Sequence, residues 1–338
     1  MTTIDYEIRP YRPGDETGIL ASFNQTFREV CGPGYVDRDL ATWRWVYLEN
    51  PAGYRIFVGQ AGEIIAGNYS GTPQRFHTSL GPRTFVHAVD SFVLPEHRAG
   101  LKRPGLFLSI AEPWFDDVRA RGDAMIYGYP VKQAERIGSK YLGYRRVRSI
   151  DYLARSASEG SIDRPADIEC RMVRELGDEV DALSARFLST KTCALIRDRA
   201  YLEWRWLAAP NASDLYEVWT ARRAGELVGV MVLRPFHELL PGACTIADWC
   251  VPDADAAATD ALLAVATERA RAHGRAHVMA VFADPSAEAK ALLARGFVAE
   301  SSAQWHERIL MHRTFDPSLP EEWLIASWWY TIGDSDLV

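Results

Sequence analysis

The feature that most constrains this chain is an internal repeat. Residues 37–45 read DRDLATWRW and residues 198–206 read DRAYLEWRW, although tryptophan occurs only 11 times in 338 residues. Other landmarks recur in the same order in both halves: GDE at 14–16 and 177–179, AGE at 61–63 and 224–226, and a glycine followed by an aromatic residue at 143–144 and 296–297. A repeated order of motifs indicates repeated structural units. The sequence therefore predicts two copies of one domain.

The boundaries of the copies follow from composition. Residues 156–166 are small, polar and contain a proline, which is typical of a linker, so we expect an N-terminal domain over 1–155 and a C-terminal domain over 167–315. The tail, residues 316–338, has no counterpart in the first half. Its aromatic residues predict that it docks on the body of the protein.

Each half alternates strand and helix patterns. Apolar runs at 55–60, 63–69 and 83–94 predict strands, and apolar residues at helical spacing over 107–118 predict an amphipathic helix that Pro113 would kink or break. The fold class is therefore α/β (α+β), with a mixed central sheet flanked by helices in each copy. The W-R-W triplets occur in both copies, which favours a packing role over an acceptor pocket.

Composition excludes several functional classes. The net charge of −7 argues against a nucleic-acid partner, and no apolar run is long enough for a membrane span. The five cysteines form no C-x-x-C pair, so we expect neither a structural zinc site nor a disulfide framework, and no metal cofactor. The first residues have no secretory pattern, so we expect a cytoplasmic protein.

Three stretches of the first half resemble the GCN5-related N-acetyltransferase (GNAT) superfamily. IRPYRPGD at 8–15 resembles its opening strand, DSFVLPEHRAG at 90–100 its fourth strand and acetyl-CoA loop, and YLGY at 141–144 its closing turn. Residues 167–315 resemble it by order and by Gly296-Phe297. The resemblance implies two GNAT-like domains in tandem, acetyl-CoA or another acyl-CoA as cosubstrate, and transfer of the acyl group to a small-molecule amine. The alternative is a GNAT fold that acts as a binding or interaction module without catalysis.

The resemblance also implies a cofactor loop. Family members bind the coenzyme pyrophosphate on backbone N–H groups between the fourth strand and the next helix, where the helix dipole favours anions. Here we expect the coenzyme to contact Phe92, Val93, Arg98, Ala99, Gly100, Leu101, Lys102 and Gly105. The loop departs from the R/Q-x-x-G-x-G/A spacing by one residue, and Pro104 removes a donor. An ordinary basic surface loop is the alternative.

The corresponding segment of the second half reads DADAAATD over 253–260, with no glycine, lysine or arginine. Because its carboxylates would repel a pyrophosphate, we expect the second copy to have lost coenzyme binding.

Acyl transfer to an amine needs a base for the amine and an acid for the leaving thiolate. We expect His87 as the base, with a hydrogen-bonded strand histidine as the alternative, or Glu96 acting through water. Tyr141 is the predicted general acid, although the family tyrosine aligns with Ser139. Two further pairs are predicted to bind the acceptor: Tyr127 with Tyr129, and Asp334 with Asp336, which would attract a cationic amine unless they form a solvated acidic terminus. Asp90 has a match in Asp248, which favours a structural role.

Overall fold

The computed structural model describes residues 4–98, 105–305, 307 and 309–336. These residues divide into two compact units. The first contains the chain up to Arg75, Arg83–Arg146 and Met311–Pro317, and the second contains Phe76–Pro82, Val147–Leu310 and the chain from Ser318.

The first unit opens with a strand and two helices and continues as strands around one long helix. Its elements in chain order are β1 (Glu7–Pro10), α1 (Asp15–Cys31), α2 (Leu40–Tyr47), β2 (Arg55–Ala61), β3 (Ile64–Thr78), β4 (Arg83–Val93), α3 (Leu106–Ala120), β5 (Met125–Gly128), α4 (Lys132–Tyr141) and β6 (Arg145–Ser149).

The rest of the chain repeats this order from β8 to β14. The elements after β6 are β7 (Asp151–Ser156), β8 (Ile168–Val173), α5 (Glu179–Leu188), β9 (Cys193–Leu195), α6 (Arg199–Leu202) with a π-helical turn (Glu203–Leu207), α7 (Ala212–Leu215), β10 (Glu217–Arg223), β11 (Glu226–Arg234), β12 (Ala243–Cys250), α8 (Ala256–Ala272), β13 (His277–Ala280), α9 (Ala287–Leu293), β14 (Val298–Ser301), β15 (Ile309–Thr314), α10 (Glu321–Ser327) and β16 (Trp328–Trp329).

Both units contain a mixed sheet. In the first, the strand order is β1-β2-β3-β4-β5-β15-β6, with β4 and β5 parallel and the pairs β1–β2, β2–β3 and β5–β15 antiparallel. In the second it is β14-β7-β13-β12-β11-β10-β8, and β12 and β13 form the parallel pair. The predicted fold class is confirmed.

Helix α3 packs on the first sheet through its apolar stripe. Ile110, Ala111 and Trp114 are buried, and the Trp114 indole donates to the Arg55 carbonyl at 3.0 Å. Glycines on the strands allow this close approach, because a Cβ added at Gly59 would lie 2.8 Å from the Ile110 side chain. The helix runs through Pro113, so the predicted break is absent.

The units do not follow the boundaries 1–155 and 167–315 expected from the sequence. Strand β7, at the end of the expected first domain, lies in the second unit between β13 and β14. Strand β15, at the end of the expected second domain, lies in the first unit and pairs with β5. Each half of the chain thus contributes one strand to the sheet of the other. Local patterns indicate a strand but not its neighbours, because pairing is a long-range choice.

Two expected segments also have defined places. In the expected linker 156–166, the Ala157 N–H donates to the Ala276 carbonyl at 2.8 Å. In the expected tail 316–338, Trp328, Trp329 and Tyr330 are buried in the second unit, where β16 pairs with β9. The W-R-W tryptophans are also buried. In the described part of the chain, no helix is long and apolar enough to cross a membrane.

Candidate functional site

Strands β4 and β5 separate after three residue pairs. The last pair is His87 with Tyr127; β5 then ends at Gly128, whereas β4 continues to Val93. Beyond His87 the edge of β4 that faced β5 requires other partners for its backbone polar groups. An extended ligand can hydrogen-bond to such an edge as an added strand would.

His87 lies at the point of separation and is 3% exposed. Its ring stacks on that of Tyr127, with centroids 4.8 Å apart, and meets the ring of Tyr129 edge-on at 5.8 Å. The Tyr127 hydroxyl donates to the Gln74 side chain at 2.8 Å. Three residues predicted from the sequence, His87, Tyr127 and Tyr129, are thus brought together. Tyr127 is fully buried, which corrects its expected role in binding the acceptor, whereas Tyr129 is half-buried.

A buried polar face on β3 adjoins this cluster and was not predicted. Asn68, Ser70, Thr72 and Gln74 alternate along the strand and are all at most 7% exposed. The Asn68 amide donates to the Ser70 hydroxyl at 2.9 Å. The available signal was a polar residue at every second position, which sequence reasoning more readily assigns to a solvated strand face.

An ion pair between Arg38, which precedes α2, and Asp90 of β4 adjoins this polar face, because the Asn68 amide donates to the Asp90 carbonyl at 3.0 Å. The Asp90 carboxylate also accepts from the Tyr47 hydroxyl at 2.8 Å, and Tyr47 lies 3.0 Å from the Ser70 hydroxyl. Asp90 has φ +55°, a left-handed conformation uncommon for a non-glycine residue in a strand. The side chains of Arg38 and Asp90 are 25% and 12% exposed, so solvent reaches the pair.

The residues predicted to contact the coenzyme lie in different environments. Phe92 and Val93 are buried in the packing on either side of the sheet, so only their backbone is available to a ligand. Arg98 is exposed, and its guanidinium donates to the Val93 carbonyl at 3.0 Å. Ala99, Gly100, Leu101 and Lys102 lie outside the described residues.

Gly105 directly precedes α3 and has an extended backbone conformation. No side chain among the described residues caps this helix, and its first turn contains no acidic residue. The first N–H groups of a helix have no intrahelical acceptor, and the dipole makes that end positive. The residues present therefore suit the phosphate groups of a coenzyme.

Two predicted catalytic residues lie on the surface. Glu96 is exposed in a short 3₁₀ turn (Pro95–His97) and accepts from Gln25 at 3.4 Å. Tyr141, the last residue of α4, is 56% exposed and has the Lys140 ammonium 4.9 Å from its ring centroid. Neither is brought into the cluster around His87 by a contact of the described residues.

The second unit closes the corresponding place with its own tail. Strands β12 and β13 pair up to Ile246 and Ala280, and two residues later Phe282 forms an antiparallel bridge with Thr331. The following turn (Ile332–Asp334) packs against β12 so closely that a Cβ added at Gly333 would lie 2.6 Å from the Ala247 carbonyl oxygen. In the second unit the tail therefore lies just beyond the last pair of β12 and β13. This place corresponds to the separation of β4 and β5 in the first unit.

This placement corrects the expected role of Asp334 as a binder of a cationic amine. The Asp334 side chain is fully buried and ion-paired with Arg197. Burial, against the opposing effect of Arg197, raises the pKa of Asp334 to about 6. Asp336 is exposed.

The helix after this separation also differs between the units. Asp255 caps α8 by accepting from the Ala258 N–H at 3.0 Å, and Arg223 donates to both of its oxygens. A carboxylate therefore already occupies the end of α8 where a phosphate would bind. A cavity of about 190 Å³ beside Lys191 in this unit is smaller than the roughly 300–1,000 Å³ of small-molecule sites.

The ion pair at Asp90 recurs in the second unit and corrects the alignment of the repeat. Arg197 donates to Asp248 at 2.6 Å, and Trp206 donates to the other oxygen of Asp248 at 3.0 Å. Arg38 corresponds to Arg197 and Tyr47 to Trp206, a register two residues away from the match of the W-R-W triplets. The predicted structural role of Asp90 is consistent with this duplication.

In the described part of the chain, no cluster of three or more histidine, cysteine or acidic side chains could hold a metal ion. No protein-family model matches the sequence, and no curated protein matches it.

Solved structures do resemble the chain. One is a GCN5-related N-acetyltransferase from Anabaena variabilis, with a TM-score of 0.66 and 15% identity over 92% of this chain and 73% of that one. Another is a probable N-acyltransferase from Enterococcus faecalis, with a TM-score of 0.66 and 12% identity over the same shares. A tandem GNAT protein from the clavulanic acid biosynthesis pathway has a TM-score of 0.54 and 13% identity over 92% of this chain and 98% of that one. The chain therefore has the GNAT fold in tandem arrangement.

Proposed function

We propose that the protein is an acyltransferase whose first unit binds acetyl-CoA or another acyl-CoA and acylates a small-molecule amine. The observation that supports this most is the contrast between the two copies. The first has strands that separate after three residue pairs and a helix end that no side chain of the described residues caps, whereas the second has the tail beyond its last strand pair and Asp255 on its helix.

The residues that would hold the coenzyme are the backbone of β4 after His87, the basic loop residues Arg98 and Lys102, and the backbone at Gly105. Basic side chains and helix N–H groups both stabilise phosphate oxygens. When bound, an acyl-CoA would supply an activated acyl group as a thioester.

The chain supplies proton transfer and positioning. An amine must lose its proton to be a nucleophile, and an imidazole nitrogen of His87 is the base that the cluster offers at the strand separation. The Tyr127 and Tyr129 rings pack against the imidazole ring and orient it, and Tyr129, the less buried of the two, would contact the acceptor. Tyr141 and Glu96 lie on the surface outside this cluster, so their roles as general acid and as base through water stay predictions from the sequence.

Calorimetric titration of the full-length protein with acetyl-CoA tests the proposal. Arg98→Glu combined with Lys102→Glu should weaken binding about tenfold or more, because charge-assisted hydrogen bonds to phosphate are lost and repulsion replaces them. The control is Arg119→Glu combined with Arg121→Glu, which makes the same charge change at exposed positions toward the other end of α3.

Three results are informative. Tight binding that only the loop variant loses, together with acyl transfer to an amine, supports the proposal. No binding at millimolar acetyl-CoA contradicts it. Binding without transfer to any amine identifies the protein as a binding module.

A further inference from the structure

Arg38 and Arg197 are corresponding arginines of the two units, and the tail shows what kind of group Arg197 binds. In the second unit the Nε of Arg197 donates to Asp248 of β12, and its Nη2 donates to Asp334 and to the Thr331 hydroxyl. Its guanidinium also lies over the Trp329 ring, 4.7 Å from the centroid. The second unit thus contains a carboxylate bound to an arginine that a strand aspartate orients.

The corresponding arginine of the first unit, Arg38, has no second carboxylate partner among the described residues. Arg38 pairs with Asp90 through one terminal nitrogen, and its guanidinium lies over the Phe23 ring, 4.3 Å from the centroid. Among the described residues, Asp90 is the one side chain that accepts hydrogen bonds from this guanidinium. A guanidinium has five N–H donors in a fixed fork that matches a carboxylate.

Solvent reaches the arginine–aspartate pair of the first unit but not that of the second. The side chains of Arg197 and Asp248 are at most 1% exposed beneath the tail. Those of Arg38 and Asp90 are 25% and 12% exposed. The pair in the first unit is therefore open to solvent, whereas the pair in the second unit is covered by the tail.

The charge balance restricts the ligand further. Arg38 and Asp90 cancel each other, so a simple carboxylate would add an uncompensated negative charge at a partly buried pair. In the second unit the same excess charge, fully buried, accompanies the raised pKa of Asp334. An amine that carries its own carboxylate adds no net charge. Resting on the function proposed above, we propose that Arg38 binds the carboxylate of the acceptor, and that the acceptor is an amino acid or a similar amine bearing a carboxylate.

The location fits the chemistry. Asp90 and Phe92 are two residues apart on β4, which corresponds to about 7 Å of strand. A carboxylate anchored at Arg38 therefore lies within the length of one small molecule of the strand segment proposed to hold the acyl-CoA. Arg38 would therefore determine which acceptor binds and would not donate a proton in the reaction.

Ligand-observed NMR of the full-length protein tests the inference without needing turnover. The probes are the L-amino acids at millimolar concentration, each beside its carboxamide and beside the matching carboxylic acid without the amine. We expect at least one amino acid to bind about tenfold or more tightly than its amide, since a charge-assisted bidentate pair is lost in the amide.

The variant Arg38→Gln/Asp90→Asn should abolish this preference, because it keeps polar side chains but removes both charges. The control Arg28→Gln/Asp37→Asn removes an exposed ion pair close by in the chain and should leave the preference unchanged. Should the first variant not fold, Arg38→Lys should reduce the preference by losing the fork geometry.

The inference is overturned if no amino acid binds more tightly than its amide, or if the preference survives in folded Arg38→Gln/Asp90→Asn. Titration of the same samples with acetyl-CoA keeps the two proposals apart. Amino-acid binding without acetyl-CoA binding removes the acyltransferase and leaves the carboxylate site. The reverse result removes the carboxylate site alone.

Discussion

His87 occupies an unusual environment for a strand residue. A 3%-exposed imidazole is stacked on one tyrosine ring and met edge-on by another, at the last pair before β4 and β5 separate. Aromatic packing of this kind fixes the orientation of the ring. A fixed imidazole next to a strand edge serves either as a structural side chain or as an oriented base.

His87→Gln separates these roles. As a base, His87 should contribute about 10²- to 10⁴-fold to turnover, so kcat should fall by that range with acetyl-CoA affinity unchanged. The limb of the pH–rate profile that follows the histidine should disappear. Steady-state kinetics over pH 5–9 and thermal unfolding of both proteins measure this. A large fall in Tm with an unchanged pH profile would assign His87 a structural role.

At single positions, comparison of the two halves identified the equivalent aspartates but aligned the aromatic residues two positions out of register. Comparison of the two halves predicted that Asp90 and Asp248 are equivalent, and both bind an arginine. The tryptophan triplets suggested a register that the side chains do not follow, because Tyr47 and Trp206 make the equivalent hydrogen bond. A phenol and an indole can each donate one hydrogen bond from a buried ring, and residue letters do not reveal that equivalence.

Most elements could be predicted from periodicity. The strand expected over 83–94 is Arg83–Val93, and the amphipathic helix is Leu106–Ala120. Strand β3 was predicted to end at Tyr69 and extends to Thr78, because its polar residues are buried and do not mark a turn. Polar residues in a strand interior resemble loop residues in a sequence, and only the partners supplied by the fold distinguish them.

Asp255 caps helix α8, so its replacement should lower the stability of the protein. Asp255→Ala should lower the free energy of unfolding by about 1 kcal/mol through loss of the cap alone, and further through loss of the ion pair with Arg223. Asp255→Asn keeps a capping oxygen and should lose only the ion-pair contribution. Denaturant unfolding of the three proteins at pH 7 measures both effects. Equal stability of Asp255→Asn and Asp255→Ala would contradict the capping role.

The pH dependence has a definite sign. Burial opposes ionisation of Asp255, but hydrogen bonds from Arg223 and from the Ala258 N–H lower its pKa below the ordinary 3.8. A carboxylate with a lowered pKa in the folded state stabilises the protein above its ordinary pKa and loses that contribution as the pH falls through the lowered value. The stability difference between wild type and Asp255→Asn should therefore shrink between pH 5 and pH 2.

The reciprocal placement of β7 and β15 is the main feature of the whole molecule that the sequence did not predict. The repeat correctly indicated two copies, but assigned each closing strand to its own copy. The strand pattern of β7 and of β15 is compatible with either sheet, since the two strands hold equivalent places in the two copies. Which one forms depends on the whole chain.

Cutting the chain at Gly160 tests this exchange. Gly160 is exposed, and the cut leaves β7 on the first fragment and β15 on the second. Residues 1–160 would lack the strand between β5 and β6, and residues 161–338 the strand between β13 and β14. We expect each fragment alone to be insoluble or poorly folded, since both would expose unpaired strand edges. Co-expressed fragments should purify together as a 1:1 complex.

Size-exclusion chromatography and circular dichroism of the separate and co-expressed fragments provide the measurement. A version cut after Pro317 is the control, because it leaves both exchanged strands on the long fragment. Two fragments that fold and unfold cooperatively on their own would show that the strands are not exchanged.

The exchange also has a consequence for synthesis on the ribosome. Strand β5 ends at Gly128, and its partner β15 begins at Ile309, so about 180 residues must be translated before the first sheet is complete. At about 5–20 residues per second, the first unit waits roughly 10 to 35 seconds with one side of β5 uncovered. A domain at the start of a chain ordinarily folds as it emerges. This unit completes its sheet only after residue 314 has been made, so nascent chains that stall before that residue present an open edge to chaperones and to one another.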